Sequence, residues 1–326
     1  MSKKKVGVTT FFDTQDNYGQ LLQAFALQSH LRKEGFDPFL INFRKQNSGS
    51  FIKRLKKSIK NIIKPDSNRS KDAARLFDSF RYSNFNFSEK RYQSFEQLME
   101  LPPKAALYIT GSDQVWNHDF NGEDRVFFLQ FGDSNTKRIA FAASFGHANL
   151  DEGLKNTYKD YLGKFDLIGV REDSGIDLCK ELGYAAQLLP DPTLLLSKAE
   201  WSQMASKSHQ FGSGNQNILI YLLGNRPLEA KDHVIDYVNN LPEASIVHCT
   251  INKDYTGSHY PTIGEWLADF NHADFVVTNS FHGMVFSIIF NKNFLVMPSS
   301  GSTKGMNERL TTLLGLVGLN DRVLQA

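Results

Sequence analysis

Short apolar runs alternate with stretches of helical period along most of this chain, and that rhythm restricts the fold to parallel α/β layers. Val6–Phe12 reads as a buried strand, Asp13–Asn17 as a polar turn, and Gln20–Lys33 as a helix spaced by Leu21, Leu22, Phe25, Leu27 and Leu31. Gly35 suits the helix C-terminus, and Pro38–Phe43 gives a second strand. Further strands are predicted at Ala105–Thr110, Arg138–Ser144 and Asp166–Arg171, with helices over Glu152–Leu162 and Gly175–Leu182. Leu188–Leu196 (LLPDPTLLL) carries two prolines around Asp191 and reads as a crossover. The alternation then restarts. Strands are predicted at Asn217–Leu223, Ser245–Cys249, Asp274–Thr278 and Asn293–Met297. Helices are predicted over Leu228–Asn239, Thr262–Phe270, Phe281–Phe290 and Asn307–Leu314. The expectation is therefore two α/β units, residues 1–190 and 191–326, facing across a cleft. Ligands of such sheets sit outside the carboxyl ends of the strands.

A length of 326 residues with 41% apolar content suits two cores of ordinary size. The net charge of +2 argues against nucleic acid as a partner. Two distant cysteines, Cys179 and Cys249, form neither a disulfide framework nor a metal or redox motif. The apolar run after the basic Met1–Lys5 is too short for a signal-peptide core, and no run approaches the roughly 20 apolar residues of a spanning helix. A cytoplasmic protein is expected. An insertion at about 44–100 interrupts the first unit, and within it Phe51–Lys64 alternates apolar residues at helical spacing with Lys53, Arg54, Lys56, Lys57, Lys60 and Lys64. Such a helix either packs its apolar stripe on the domain or lies on an anionic membrane at the inner face, where each basic residue near the headgroups is worth ~1 kcal/mol.

Four loops after strands have the composition for chemistry. In Val276–Gly283 a buried strand runs through Asn279 and Ser280 into a helix start, whose free N–H groups attract phosphate or carboxylate. His282 in that first turn either binds an anion and moves a proton, or is a structural residue facing water. In Gly169–Ser174, Arg171 ends a strand and is suited to a bidentate grip on an anion, unless it pairs with Glu172 or Asp173. Ser174 or Asp173 is expected to cap the helix that follows. In Thr110–Asn117, Asp113 is placed to accept a proton from a sugar hydroxyl or to cap a helix, and Trp116 to offer a sugar-stacking face. Asp13–Gly19 brings Asn17 to a helix start.

Dinucleotide, phosphate-loop and nucleophile-elbow fingerprints do not occur. The nine histidines lack zinc-site spacing, and His118, His147, His209, His233, His248, His259 and His272 read as structural.

Six strings in order carry a resemblance to a known family. They are NYGQLLQAFALQ (17–28), GSDQVWN (111–117), AFAASFG (140–146), VRED (170–173), DPTLLL (191–196), and TNSFHG (278–283) followed by FSIIFNK. Together they resemble the polysaccharide pyruvyl transferase family across nearly the whole chain. The resemblance implies a glycosyltransferase B-type architecture of two Rossmann-like domains. It also implies transfer of pyruvate from phosphoenolpyruvate onto two hydroxyls of a sugar, giving a cyclic ketal in bacterial surface or capsular polysaccharide. The family's donor-binding arginine corresponds to Arg171 and its essential histidine to His282. Ser280, Phe281, Gly283, Asn17 and Trp116 are expected around the substrates, with Asp113 as the base. No cofactor or metal is expected, phosphoenolpyruvate being the donor substrate. The acceptor is expected to be a saccharide, lipid-linked or free. Relatives continue past the region of Asn307–Leu319, so a closing helix is expected to be missing. A nucleotide-sugar glycosyltransferase and a non-catalytic glycan- or anion-binding module are the alternatives on the same architecture.

Overall fold

The computed structural model describes residues 3–44, 74–121, 125–223, 231–250, 258–300 and 307–324. Two parallel sheets dominate, in agreement with the expected α/β architecture. The first holds six strands in the order β2-β1-β3-β4-β5-β6: β1 (Lys5–Thr9), β2 (Asp37–Leu40), β3 (Leu107–Thr110), β4 (Lys137–Ala143), β5 (Leu167–Val170) and β6 (Gln187–Leu188). The second holds five in the order β11-β10-β7-β8-β9: β7 (Gln216–Leu222), β8 (Ala244–Thr250), β9 (Ser258–His259), β10 (Phe275–Thr278) and β11 (Asn293–Val296). Every pairing among these strands is parallel. The apolar runs Val6–Val8 and Val276–Val277 are central strands covered on both faces, which is why they read as continuous rather than alternating.

The helices are α1 (Tyr18–Lys33), α2 (Phe77–Asn84), α3 (Phe95–Glu100), α4 (His118–Asn121), α5 (Glu152–Leu162), α6 (Asp173–Glu181), α7 (Lys198–Met204), α8 (Lys231–Asn239), α9 (Ile263–His272), α10 (Phe281–Ile289) and α11 (Glu308–Val317). Their starts follow from local chemistry. Asn17 accepts from Gln20 N, Ser280 accepts from Gly283 N, and Thr262 and Glu265 form a capping box on α9. The expected side-chain cap of α6 is a correction. Glu172 occupies its N-cap position without a capping bond, because its carboxylate turns inward to the Phe145 and Gly146 amides.

α1 joins the two halves. It precedes β2 of the first sheet, yet the Tyr18 ring stacks on Trp266 of α9 at 5.3 Å and its hydroxyl donates to Pro261 O at 2.6 Å. One apolar cluster accordingly runs from Val6 and Leu27 to Trp266, Phe286 and Leu314. At the other end, Thr312 of α11 bonds Asp173 of α6. The LLPDPTLLL segment becomes the end of β6 and a 3₁₀ turn, Pro192–Leu195, capped by a buried Asp191. The expected basic helix at 51–64, with its membrane contact, lies outside the described residues. Among the described residues no helix is long and apolar enough to cross a membrane.

Candidate functional site

A cavity of ≈ 400 Å³ opens at the carboxyl ends of β1, β3, β7 and β10. The first half contributes the loop from Thr10 to Asp13, Asn17 and Gln20 at the start of α1, Asp113 and Gln114 after β3, and the rings of Phe120 and Phe127. The second half contributes Leu223 after β7, the start of α10 at Ser280, Phe281 and His282, and Arg309 of α11. The first turns of α1 and α10 therefore come together at one wall. Gly19 and His282 are in such close contact that a Cβ added at Gly19 would lie 2.0 Å from His282 Nδ1. Only glycine lets the two helix starts approach this closely.

A buried charge cluster underlies that wall. Arg171 Nη1 donates to Asp191 Oδ2 at 2.8 Å, and Nη2 lies 3.5 Å from Asp113 Oδ1. His282 Nε2 stands 3.5 Å from the same Asp191 Oδ2. Ser112 Oγ also donates to that oxygen at 2.8 Å, while Thr193 N and Oγ1 hold Oδ1 at 3.0 and 2.7 Å. Burial pushes the Asp191 carboxyl up, but the charges of His282 and Arg171 and the bonds around it hold it far below the ordinary range. Burial likewise opposes charge on Arg171, and Asp191, Asp113 and Glu172 outweigh it. The same guanidinium lies over the Phe281 ring at 4.4 Å, with Arg309 on that ring at 5.6 Å.

The structure brings His282, Ser280, Phe281, Asn17 and Asp113 to one cavity. Asp113 adopts φ = 80°, a left-handed conformation that Asp tolerates better than most residues. Its Oδ1 accepts from Gln114 N at 2.8 Å. No helix begins there for Asp113 to cap; it forms an isolated bridge to Ala143 instead.

Three residues stand elsewhere. Trp116 is 1% exposed, stacked on Phe128 at 5.3 Å, with its indole N–H donating to Phe127 O. It is core, and the expected sugar-stacking role is corrected. Arg171 lies beneath Phe281 rather than in the cavity wall, so the expected direct grip on the donor becomes a hold on Asp191. Gly283 is buried behind the wall, where a Cβ would meet Thr278 Oγ1 at 2.3 Å. The sequence reading missed Asp191, Gly19 and Arg309. In the sequence Asp191 stands out only as a proline-flanked seam that opens the DPTLLL string, and Arg309 only as the third residue of the helix predicted over Asn307–Leu314.

The family model for "Polysaccharide pyruvyl transferase" matches residues 17–301, most of the chain. The chain belongs to the polysaccharide pyruvyl transferase family. As a member it is a transferase of polysaccharide chemistry. Among solved structures, the family member is similar in fold to S. aureus MnaA in its UDP co-structure, with TM-score 0.51, 12% identity, and coverage of 90% of this chain and 79% of that one. It is also similar to a putative UDP-N-acetylglucosamine 2-epimerase from Listeria monocytogenes, with TM-score 0.47, 10% identity, and coverage of 98% and 88%. A third is UDP-GlcNAc 2-epimerase from Neisseria meningitidis bound to UDP-GlcNAc, with TM-score 0.44, 11% identity, and coverage of 98% and 93%. The two-sheet architecture is of the glycosyltransferase B type. No curated protein matches the chain.

Proposed function

We propose that this transferase moves the pyruvyl group of phosphoenolpyruvate onto two hydroxyls of a saccharide, forming a cyclic ketal. The observation that supports this reading is the convergence of two helix starts, His282 and Arg309 on one cavity that also holds the Asp113 carboxylate. A small donor bearing a phosphate and a carboxylate needs several anion contacts, and helix N-termini with a guanidinium supply them.

The reaction balances without a cofactor. One hydroxyl adds to C2 of the enol as a proton adds to C3, which becomes the methyl group. The second hydroxyl then displaces phosphate from C2. Of the two hydroxyl protons, one replaces the proton placed on C3 and the other accompanies the departing phosphate. His282 is assigned as proton donor and phosphate contact, and Asp113 as the acceptor of a hydroxyl proton. Asp191 orients the imidazole by its Nε2 edge, and Arg171 keeps Asp191 ionised beneath it.

The test is phosphate release from phosphoenolpyruvate across lipid-linked and free saccharides, with the ketal identified by NMR. His282→Ala should abolish turnover while the fold persists, and Arg309→Ala should raise the donor KM. Unchanged release in the His282 variant would sink the assignment of the site. Thermal stabilisation by a nucleotide sugar and none by phosphoenolpyruvate would favour the glycosyltransferase alternative.

A further inference from the structure

Outside the catalytic cavity, two histidines and an aspartate from separate segments meet at one point. His118 and Asp119 belong to α4, and His147 follows the AFAASFG stretch after β4. His147 Nε2 lies 3.0 Å from Asp119 Oδ2, and His118 Nε2 lies 3.4 Å from Asp119 Oδ1. One potential ligand atom from each of the three side chains falls within 4.8 Å of the other two. Asp151 Oδ2 stands 4.0 Å from His118 Nε2, within reach as a fourth ligand.

We propose that this cluster is a binding site for a divalent transition-metal ion of the zinc or cobalt class. Bonds of about 2.0–2.2 Å at the tetrahedral angle put ligand atoms about 3.3–3.6 Å apart, and the two His–Asp119 separations of 3.0 and 3.4 Å are near that range. Two imidazoles with a carboxylate select borderline metals over magnesium or calcium, which prefer all-oxygen sets. Without a metal, each Nε2–H can donate to one Asp119 oxygen; to bind a cation each imidazole carries its proton on Nδ1 and offers the Nε2 lone pair, and the ligand atoms, now within 4.8 Å of one another, draw in to the ion. The side chains of His118 and His147 are 22% and 29% exposed, which leaves room for water at an open coordination position.

The place of the cluster gives the ion a consequence. Asn117 Oδ1 contacts His147 Nε2 at 3.1 Å and accepts from Asp119 N at 2.9 Å, while Asn117 Nδ2 donates to Gln114 Oε1 at 2.7 Å. Gln114 lines the catalytic cavity, and so does Phe120, the residue after Asp119. A bound ion braces the segment that carries Asp113.

Titrating the purified full chain with CoCl2, by calorimetry and by visible absorption of the Co2+ centre, tests the site. One equivalent should bind with a nitrogen/oxygen ligand-field spectrum. His147→Ala and Asp119→Asn should each weaken it at least tenfold, with unaltered circular dichroism. The half-exposed His118→Ala serves if either variant folds poorly. His272→Ala, which disrupts the separate His209–His272 ring pair at 4.3 Å, should leave binding unchanged. Absence of a saturable one-equivalent phase, or wild-type affinity in the His147 and His118 variants, overturns the proposal.

Discussion

Replacing Gly19 with alanine sets two effects of opposite sign against each other. Gly19 is the second residue of α1, and helix propensity alone favours alanine there by at most about 1 kcal/mol. The new Cβ, however, would meet His282 Nδ1 at 2.0 Å, Cγ at 2.3 Å and Cε1 at 2.6 Å. Ordinary contact begins at 3.4 Å, so ring and helix must separate by about 1.4 Å. The ring is 5% exposed and faces Asp191 on its Nε2 edge, so it cannot yield freely. Overpacking of this kind costs about 1–3 kcal/mol, which outweighs the propensity gain and leaves up to about 2 kcal/mol of net destabilisation. The catalytic cost is larger, since a displacement above 1 Å of a reacting group costs on the order of 100-fold in rate. Urea unfolding paired with phosphate release from phosphoenolpyruvate measures both. A variant that is more stable than wild type and turns over at the same rate would refute the placement of His282 against α1.

Asp191→Asn leaves Arg171 buried with only Asp113 and Glu172 near it, and should destabilise the fold by about 3 kcal/mol, read by chemical denaturation. The Asp191 carboxyl is depressed in the folded state, so its stabilising effect is complete above its ordinary value of 3.8 and is lost as pH falls further. The gap between wild type and variant should thus be constant near neutrality and close only in acid. Trp116→Phe should cost on the order of 2 kcal/mol through the lost indole bond and volume, with the acceptor KM unchanged. A raised acceptor KM at full stability would restore the sugar-stacking role.

Most of the architecture was legible because parallel strands announce themselves as unbroken apolar runs. Val6–Val8 and Val276–Val277 are such runs, and each ends in a polar turn with a capping residue. The loop at 278–283 was legible for the same reason. Arg171 was harder. Its nearest acidic neighbours in sequence, Glu172 and Asp173, suggest a local pair, but the Glu172 carboxylate accepts from the Phe145 and Gly146 amides and Asp173 accepts from Thr312. Its partner is Asp191, brought close by the 3₁₀ turn after β6. Trp116 misled because GSDQVWN looks like an exposed polar loop. In the structure Tyr158 Oη donates to Trp116 O and Phe128 stacks on the indole, so the end of that loop is covered by core side chains.

Tyr18 is the hydroxyl-bearing first residue of a helix that starts at the cavity, yet its ring packs among Trp266 and Tyr221 of the opposite half. Warming that loosens either half therefore strips α1 of its neighbours, so the molecule should melt in one cooperative transition rather than half by half. The capacity to hold a donor would vanish at that same temperature, with no partly folded form left that still binds.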